Sequence, residues 1–263
     1  MPLTWTWYAG LVAMAAYAAA AWPRPARARW PEVALAVGWL AHALCLALDV
    51  LGVGAANPGA RFGFAPALST TVWIVLAVHA IESRLLPLPA VRRMLALAGT
   101  AVVLLAALFP GEARPLAGSP WLPMHWLLGV VSYGLFAVAV LHAGLLDTAE
   151  RRLRSRSAAP ATMPGTLPLM QLERLTYRFV EVGFVVLTIA LLLGATMAPW
   201  RWDHKTVLSL LGWATFAVLL GGRHWRGWRG RQATRWVYAG GALLLLAYIG
   251  SRFVLEVILR RGG

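Results

Sequence analysis

A polar stretch of eight residues between two apolar segments holds the chain's densest group of side chains that could bind a ligand. It contains two indoles, one carboxylate, one imidazole and two cationic side chains. Indoles offer flat apolar faces, and arginine and lysine pair with carboxylates, so this set could hold a large planar anionic ligand at a membrane surface. The stretch reads Pro199-Trp200-Arg201-Trp202-Asp203-His204-Lys205-Thr206.

The same residues have a structural explanation. Tryptophan is common at membrane interfaces whatever the function of the protein. Asp203 stands directly before an apolar segment, where an aspartate can accept hydrogen bonds from the first N–H groups of a helix. Composition alone leaves both explanations open.

Six histidines form the second group of residues that could do chemistry. An ionisable side chain in the middle of a membrane segment is costly and therefore a functional candidate, and neutral imidazole is a common axial ligand of haem iron. His42 is the strongest candidate, because it lies near the middle of an apolar run and has no charged residue three or four positions away. The other histidines have alternative roles in helix pairing, in packing or in a basic surface. They are His79, His125, His142, His204 and His224.

The overall composition is that of a membrane protein. Hydrophobic residues make up 60% of the 263 residues and charged residues only 13%, with a mean hydropathy of +0.66, whereas soluble domains carry about 25% charged residues. The net charge of +14 comes mostly from arginines in short connections, a pattern that favours a membrane surface over nucleic acid as partner. The single cysteine, Cys45, excludes an internal disulfide, a CxxC pair and a covalent haem site of the chain's own.

Eight apolar segments predict eight transmembrane helices, because the length of each is close to the roughly 20 residues that a helix needs to cross a bilayer. No basic residue precedes the first segment, which predicts a retained helix rather than a cleaved signal peptide. The predicted segments are 3–22, 33–52, 64–83, 91–109, 121–147, 176–198, 206–222 and 236–258.

The distribution of arginine predicts the orientation of these helices. The first, third, fifth and seventh connections are rich in arginine, which places them inside, and the alternate connections and both termini outside. Residues 148–175, rich in Arg, Ser, Ala and Pro, are predicted to form a cytoplasmic linker within a single domain spanning 1–263. Helical spacing also predicts two ion pairs, Arg178–Glu181 and Arg252–Glu256.

Three motifs in the last third of the chain are shared with a known family. They are Leu172-Glu173-Arg174-Leu175-Thr176-Tyr177-Arg178, Trp200-x-Trp202-Asp203-x-Lys205 and Gly227-Trp228-Arg229-Gly230. With them the chain resembles the cytochrome c assembly proteins, which include the CcsA-like, CcmC-like and HemX-like haem-handling membrane proteins. The tryptophan-motif segment, 170–235, carries most of the resemblance, and the layout is most similar to the small YpjD-type inner-membrane branch.

The resemblance implies two haem positions. In the family the tryptophan-rich segment lies outside and holds haem with external histidines, and His125 matches the first of these. His42 matches the first transmembrane histidine, whereas the second would fall at Gly221, one helical turn before His224. No histidine follows His224, so the family's second external ligand is missing and His204 is the candidate to replace it.

The sequence therefore predicts an all-α, polytopic membrane protein of about eight transmembrane helices with both termini outside. The predicted function is haem binding or handling at the bacterial inner membrane, linked to cytochrome c biogenesis, with haem b as the cofactor. The predicted partners are membrane lipid and a biogenesis subunit or apocytochrome. A protein partner is expected because the chain has no large outer domain for docking an apocytochrome and is not expected to be a complete synthase. The predicted cofactor-binding residues are His42, His125, Trp200, Arg201, Trp202, Asp203, His204, Lys205 and His224, with the four histidines as iron ligands.

Within this hypothesis His42 is expected to pair with His224, or else with His142. His125 is expected to pair with His204, or with no second ligand if this branch has lost the external haem site. Loss of His42 is expected to remove more haem than loss of His125. Two other classes of function remain open: a transporter or transport accessory for a small ligand or metal ion, with His42 and Asp49 on one helix face, and a structural partner of another membrane complex.

Overall fold

The computed structural model describes residues 5–23, 29–52, 60–84, 89–114, 121–154, 169–197 and 202–259. In this part of the chain every predicted apolar segment contains a helix. The helices are α1 Trp5–Ala21, α2 Trp30–Leu51, α3 Phe64–Glu82, α4 Pro89–Leu108, α5 Trp121–Arg154, α6 Leu169–Met197, α7 His204–Arg226 and α8 Gly230–Ile258. Two short strands complete the described elements, β1 Ala60–Phe62 and β2 Glu112–Arg114.

The fold class predicted from the sequence, an all-α polytopic membrane protein, is confirmed. Helices α2 to α8 are each long and apolar enough to cross a membrane. Helix α1 has 17 described residues and begins at Trp5. The side of the membrane on which each terminus lies remains a prediction from the arginine distribution.

Helices extend further than the apolar runs at several ends. Helix α5 continues to Arg154 and α6 begins at Leu169, so helices occupy both ends of the predicted linker 148–175, and residues 155–168 lie outside the described part. The reason is that hydropathy marks the apolar part of a helix but not the polar turns that prolong it. The cytoplasmic linker and the single domain stay predictions. By its contacts the chain divides into two units, Met1–Pro120 with Ile249–Gly263, and Trp121–Tyr248.

The first unit is centred on the fully buried ring of Tyr17 in α1. A Cβ at Gly38 of α2 would lie 2.6 Å from this ring, and one at Gly99 of α4 would lie 2.9 Å from it. Glycine at both positions therefore lets α2 and α4 pack directly against opposite sides of the tyrosine ring. Helices α2 and α3 are joined by Trp39 and Trp73, whose rings stack at 4.8 Å and whose indole N–H groups each donate to the other residue's carbonyl.

A two-stranded antiparallel sheet in the first unit was not predicted. Strands β1 and β2 pair with Ala60 opposite Arg114 and Phe62 opposite Glu112. Gly111, which follows α4, has a φ of +70°, a backbone conformation that favours glycine. A Cβ there would lie 2.5 Å from the carbonyl oxygen of Phe62, so the close approach of the strands also requires glycine.

The second unit packs its helices around stacked aromatic rings. Phe136 of α5 and Phe216 of α7 lie 4.0 Å apart between ring centroids and are nearly parallel. Gly183 of α6 and Gly240 of α8 allow these rings to approach the helix backbones, since Cβ atoms there would contact Phe136 and Phe216 at 3.1 and 2.6 Å. Burial of these rings holds α5 to α8 together.

Helix α8 departs from α-helical geometry where a tyrosine contacts it. The hydroxyl of Tyr133 in α5 donates a 2.6 Å hydrogen bond to the carbonyl oxygen of Leu244, and a π-helical turn covers Leu246–Gly250. A side chain that engages a backbone group of a helix is a known cause of such local irregularity. The tyrosine therefore ties α5 to the point at which α8 changes its geometry.

One of the two predicted ion pairs is present. Arg252 and Glu256 lie 3.9 Å apart, and Arg252 also lies 3.7 Å from Glu112. In the described part of the chain no ion pair joins Arg178 to Glu181, and the Arg178 side chain is exposed, so a solvated arginine replaces the predicted pair.

The predicted orientation is testable with fusions. A reporter active only outside the membrane is expected to be active when fused after Asp203 and silent after Arg154, because arginine-rich connections remain inside. Fusion after Arg226 is an internal control and should also be silent. Activity after Arg154 or Arg226 with silence after Asp203 would reverse the predicted orientation.

Candidate functional site

We call the polar stretch 199–206 the tryptophan loop. Its described part begins at Trp202, which is 74% exposed. Asp203 has an extended backbone and its carboxylate accepts a 2.8 Å hydrogen bond from the N–H of Thr206 at the start of α7. This backbone hydrogen bond holds the pKa of Asp203 below its usual value. The helix-cap role considered for Asp203 is therefore confirmed. Trp200 and Arg201 lie outside the described residues.

His204 and Lys205 occupy the first turn of α7. His204 is exposed, whereas Lys205 is half-buried and its Nζ lies 5.9 Å from the ring centroid of Tyr248 in α8. That separation is within the range of a cation–π contact. The loop thus places one exposed imidazole and one exposed indole beside a lysine that contacts a neighbouring helix.

His125 lies in the first turns of α5, against α6. Its Nδ1 is 2.9 Å from the carbonyl oxygen of Ala190. A carbonyl oxygen can only accept, so Nδ1 carries the hydrogen, and in the neutral ring Nε2 then carries the free electron pair. No hydrogen bond to Nε2 is present within the described part of the chain.

Gly194 creates the space for this arrangement. It lies one turn after Ala190 on α6, and a Cβ at this position would lie 2.8 Å from Cε1 and 3.3 Å from Nδ1 of His125. Such distances are too short for the ring to remain in place. The absence of a side chain at Gly194 therefore allows the imidazole to reach the backbone of α6.

His42 is placed very differently. It is fully buried in α2, with Nδ1 3.2 Å from the hydroxyl of Tyr17 and Nε2 2.8 Å from the hydroxyl of Ser69. Both ring nitrogens therefore have hydrogen-bond partners, one from α1 and one from α3. This is the geometry of a satisfied core histidine, although the sequence offered no partner near it.

The remaining histidines divide into exposed and buried positions. Helix α7 continues through Arg226, so Gly221 and His224 stand one turn apart on an unbroken helix, as expected, and His224 is exposed. His142 is buried and its ring lies over Phe179 at 5.4 Å, and His79 is buried in α3. Among the described residues no group of three or more potential metal ligands occurs.

The proposed iron-ligand pairs remain predictions. His42 belongs to the first unit and His224 and His142 to the second, whereas His125 and His204 both belong to the second. The structure adds Tyr17, Ser69, Ala190 and Gly194 as partners of these histidines. Each of these residues lies on a different helix from the histidine that it contacts. The spacing of residues within one helix therefore gives no signal for them.

The donor chemistry at His125 fits an axial haem ligand. Iron-ligating histidines usually donate their second N–H to a carbonyl or carboxylate, which orients the ring and raises its basicity. His125 already has this arrangement, with Nδ1 bonded to Ala190. At His42, by contrast, either ring nitrogen could bind a metal only after losing a hydroxyl partner.

Comparison with known proteins places most of the chain in one group. A family model described as "Cytochrome C assembly protein" matches residues 43–259. The Inner membrane protein YpjD of Escherichia coli is 29% identical over 240 residues, which cover 88% of this chain and 88% of that protein.

The chain is also similar to proteins named "Cytochrome c biogenesis protein CcsA". One from a Synechococcus strain is 33% identical over 165 residues, covering 52% of this chain and 53% of the relative. Another from Guillardia theta is 28% identical over 160 residues, with 53% of each chain covered. No solved structure matches the chain.

Proposed function

Because the chain belongs to the cytochrome c assembly protein family, we propose that it binds haem and acts as a haem-handling factor in cytochrome c biogenesis. The chain is a multi-pass protein of the inner membrane. Haem b is the proposed form, because Cys45 is the only cysteine and a covalent attachment to the chain would need two.

The observation that carries the proposal is the geometry of His125. Its Nδ1–H is bonded to Ala190 and its Nε2 is directed away from that bond with its electron pair available. An imidazole held in one tautomer by a backbone carbonyl is well prepared to bind iron. His125 is therefore the first residue that we propose would hold the haem iron.

The tryptophan loop supplies the other parts of this outer site. His204 is the proposed second ligand, since no histidine follows His224 in the chain. Trp200 and Trp202 are proposed to cover the ring system, and Arg201 and Lys205 to pair with its carboxylates. Asp203 contributes by fixing the start of α7, which positions His204 and Lys205. Bound haem would supply its redox-active iron.

An inner site at His42 is a second part of the proposal. The pairing of His42 with His224, or else with His142, stays a prediction from the sequence. The hydrogen bonds to Tyr17 and Ser69 show what such a site requires: the hydroxyl of Ser69 must leave Nε2, while Tyr17 can remain at Nδ1 and orient the ring. Because His125 needs no such rearrangement, we propose that the outer site retains more haem, which reverses the order of the two sites expected from the sequence.

The proposed partners follow from the same chemistry. A factor that transfers haem to a cytochrome must meet an apocytochrome or a subunit that presents one. We therefore propose a biogenesis subunit or an apocytochrome as partner, and a role as assembly factor rather than a complete synthase.

The transporter alternative depended on His42 and Asp49 lining one path along α2. In the structure the Asp49 carboxylate lies 3.4 Å from the Arg61 guanidinium, and His42 is bonded on both sides. Neither contact points to a transported ligand. The structural-partner alternative likewise has no specific observation in its favour, so haem handling is retained as the proposal.

The experiment that tests the proposal is the absorption spectrum of the full chain purified from haem-replete cells. We expect a Soret band with the bands of six-coordinate low-spin haem, because two imidazoles are the proposed ligands. At equal protein yield, His125→Ala should lose most of the absorbance, and His204→Ala should convert it to a five-coordinate spectrum.

The matched variants are His42→Ala and His224→Ala. If these two lose the haem while His125→Ala retains it, the inner site is the main site and the assignment to His125 is wrong. A colourless wild-type protein that also fails to take up added hemin would contradict haem binding altogether and favour the transporter or structural alternatives.

A further inference from the structure

The turn between α7 and α8 is the most basic surface in the described part of the second unit. From His204 to Leu255 the sequence contains no aspartate or glutamate. Five arginines lie within thirteen residues of this stretch, at Arg223, Arg226, Arg229, Arg231 and Arg235. Such a local excess of positive charge attracts anions.

Acidic side chains from α5 and α6 approach the turn, and Glu173 is the only one that the structure describes in an ion pair with an arginine there. Glu173 pairs with Arg229 at 3.3 Å, and the Asp147 carboxylate accepts hydrogen bonds from Thr234 and Tyr238. Glu150 lies beside Gly230. The remaining arginines are exposed and form no ion pair with any residue that the structure describes; they are Arg226, Arg231 and Arg235.

The turn that carries these arginines is held in place by aromatic contacts. The Arg223 guanidinium lies 3.6 Å over the Tyr177 ring, and the Tyr177 hydroxyl donates a 2.6 Å hydrogen bond to the carbonyl oxygen of Trp228. Trp228 in turn stacks on Trp236 at 5.5 Å, and Gly222 leaves no room for a Cβ beneath Trp228. The arginines are therefore presented from a fixed backbone rather than from a flexible tail.

An exposed indole accompanies the charges. Trp225 is 84% exposed in the last turn of α7. The turn joins the ends of two helices that are each long enough to span the membrane. At the ends of such helices, indoles commonly lie at the boundary between the acyl chains and the headgroups. The exposed arginines of this turn therefore lie where lipid phosphates are found.

We propose that Trp225, Arg226, Arg231 and Arg235 form a binding surface for the headgroups of anionic phospholipids. The guanidinium groups pair with phosphate oxygens, and the indole packs against the adjoining glycerol and acyl region. The exposed indole favours lipid over an acidic protein segment, because charge alone would serve the protein but would leave the indole in water. The surface contains none of the proposed haem ligands, of which His224 stands next to Trp225 in the sequence.

The test uses the full chain in a neutral detergent, titrated with short-chain phosphatidylglycerol or with phosphatidylcholine of the same acyl length while the unfolding temperature is measured. Phosphatidylglycerol is expected to raise the unfolding temperature of the wild type more than phosphatidylcholine does, and added salt should weaken this preference. The variant Arg226→Gln/Arg231→Gln/Arg235→Gln should weaken the apparent affinity for phosphatidylglycerol by on the order of 100-fold, since each arginine near an anionic surface contributes substantially. Trp225→Ala should weaken binding of both lipids.

The matched control is Arg29→Gln/Arg84→Gln/Arg178→Gln, which also removes three exposed arginines but leaves the turn intact and should keep the preference. Equal stabilisation by the two lipids would overturn the proposal, as would equal loss of preference in both triple variants. A wild type stabilised by a polyglutamate peptide but not by phosphatidylglycerol would assign the surface to an acidic protein instead. The salt titration needs no variant, so poor folding of a variant does not remove the test.

Discussion

His42→Ala is expected to lower the free energy of unfolding of the haem-free protein by about 3 kcal/mol, one of the larger effects for a single substitution. The imidazole is the hydrogen-bond partner of two hydroxyls, on Tyr17 and Ser69. Its removal leaves both unsatisfied in a buried position, at a cost of about 1–3 kcal/mol for each such group. The cavity left by the ring adds to the loss.

The measurement is thermal unfolding of protein purified from haem-depleted cells, so that loss of a cofactor cannot produce the effect. Tyr17→Phe and Ser69→Ala each remove one hydroxyl and should cost about 1 kcal/mol, the typical net contribution of a hydrogen bond. His224→Ala is the matched control at an exposed histidine and should change stability by less than about 0.5 kcal/mol. Unchanged stability of His42→Ala in haem-free protein, together with lost haem in replete cells, would show that His42 acts as a ligand and not as a core residue.

His42 also illustrates what the sequence could not reveal. From the sequence it was the histidine with the weakest structural explanation, because no partner stands one turn away on its own helix. Its partners are 25 and 27 positions distant and meet it only when α1, α2 and α3 pack together. Tertiary contacts of this kind have no signature in helical spacing.

The helices themselves were predictable because each contains an apolar run of the length that a membrane requires. The polar ends of the helices were not predictable. Helix α6 begins at Leu169, seven residues before the predicted start at 176, because charged side chains in its first turns lower the hydropathy there. Strands β1 and β2 have three residues each, which is too short for a period-two pattern to be recognised. Their pairing depends on the close approach at Gly111 and not on local propensity.

In the tryptophan loop, sequence reasoning gave two explanations, ligand binding and a structural role, of which the structural role of Asp203 is confirmed. An acidic residue directly before a helix predicts a helix cap. In the structure the Asp203 carboxylate forms this cap by accepting a hydrogen bond from the Thr206 N–H. The tautomer of His125 could not be predicted, because it depends on the carbonyl of Ala190, which is 65 positions away. The resemblance pointed to His125, but only the packing of α5 on α6 brings Ala190 and Gly194 to its ring.

Gly194→Ala is expected to weaken haem binding by on the order of 10–100-fold, the range seen when the group that orients a metal-ligating histidine is lost. The new Cβ would lie 2.8 Å from Cε1 and 3.3 Å from Nδ1 of His125. The ring must therefore move and give up the 2.9 Å hydrogen bond from Nδ1 to Ala190. Because His125 is only half-buried, the ring can move towards solvent, so stability should fall by no more than about 1 kcal/mol.

The matched control is Gly129→Ala. This glycine lies one turn after His125 on α5, and a Cβ there meets nothing within 4 Å, so haem affinity should equal that of the wild type. The measurement is a hemin titration of haem-free protein in detergent, followed at the Soret band, with His125→Ala as the limit for complete loss of the ligand. Wild-type affinity in Gly194→Ala, alongside weak binding by His125→Ala, would mean that His125 binds iron without the support of Ala190. Wild-type affinity in all three variants would remove His125 from the site.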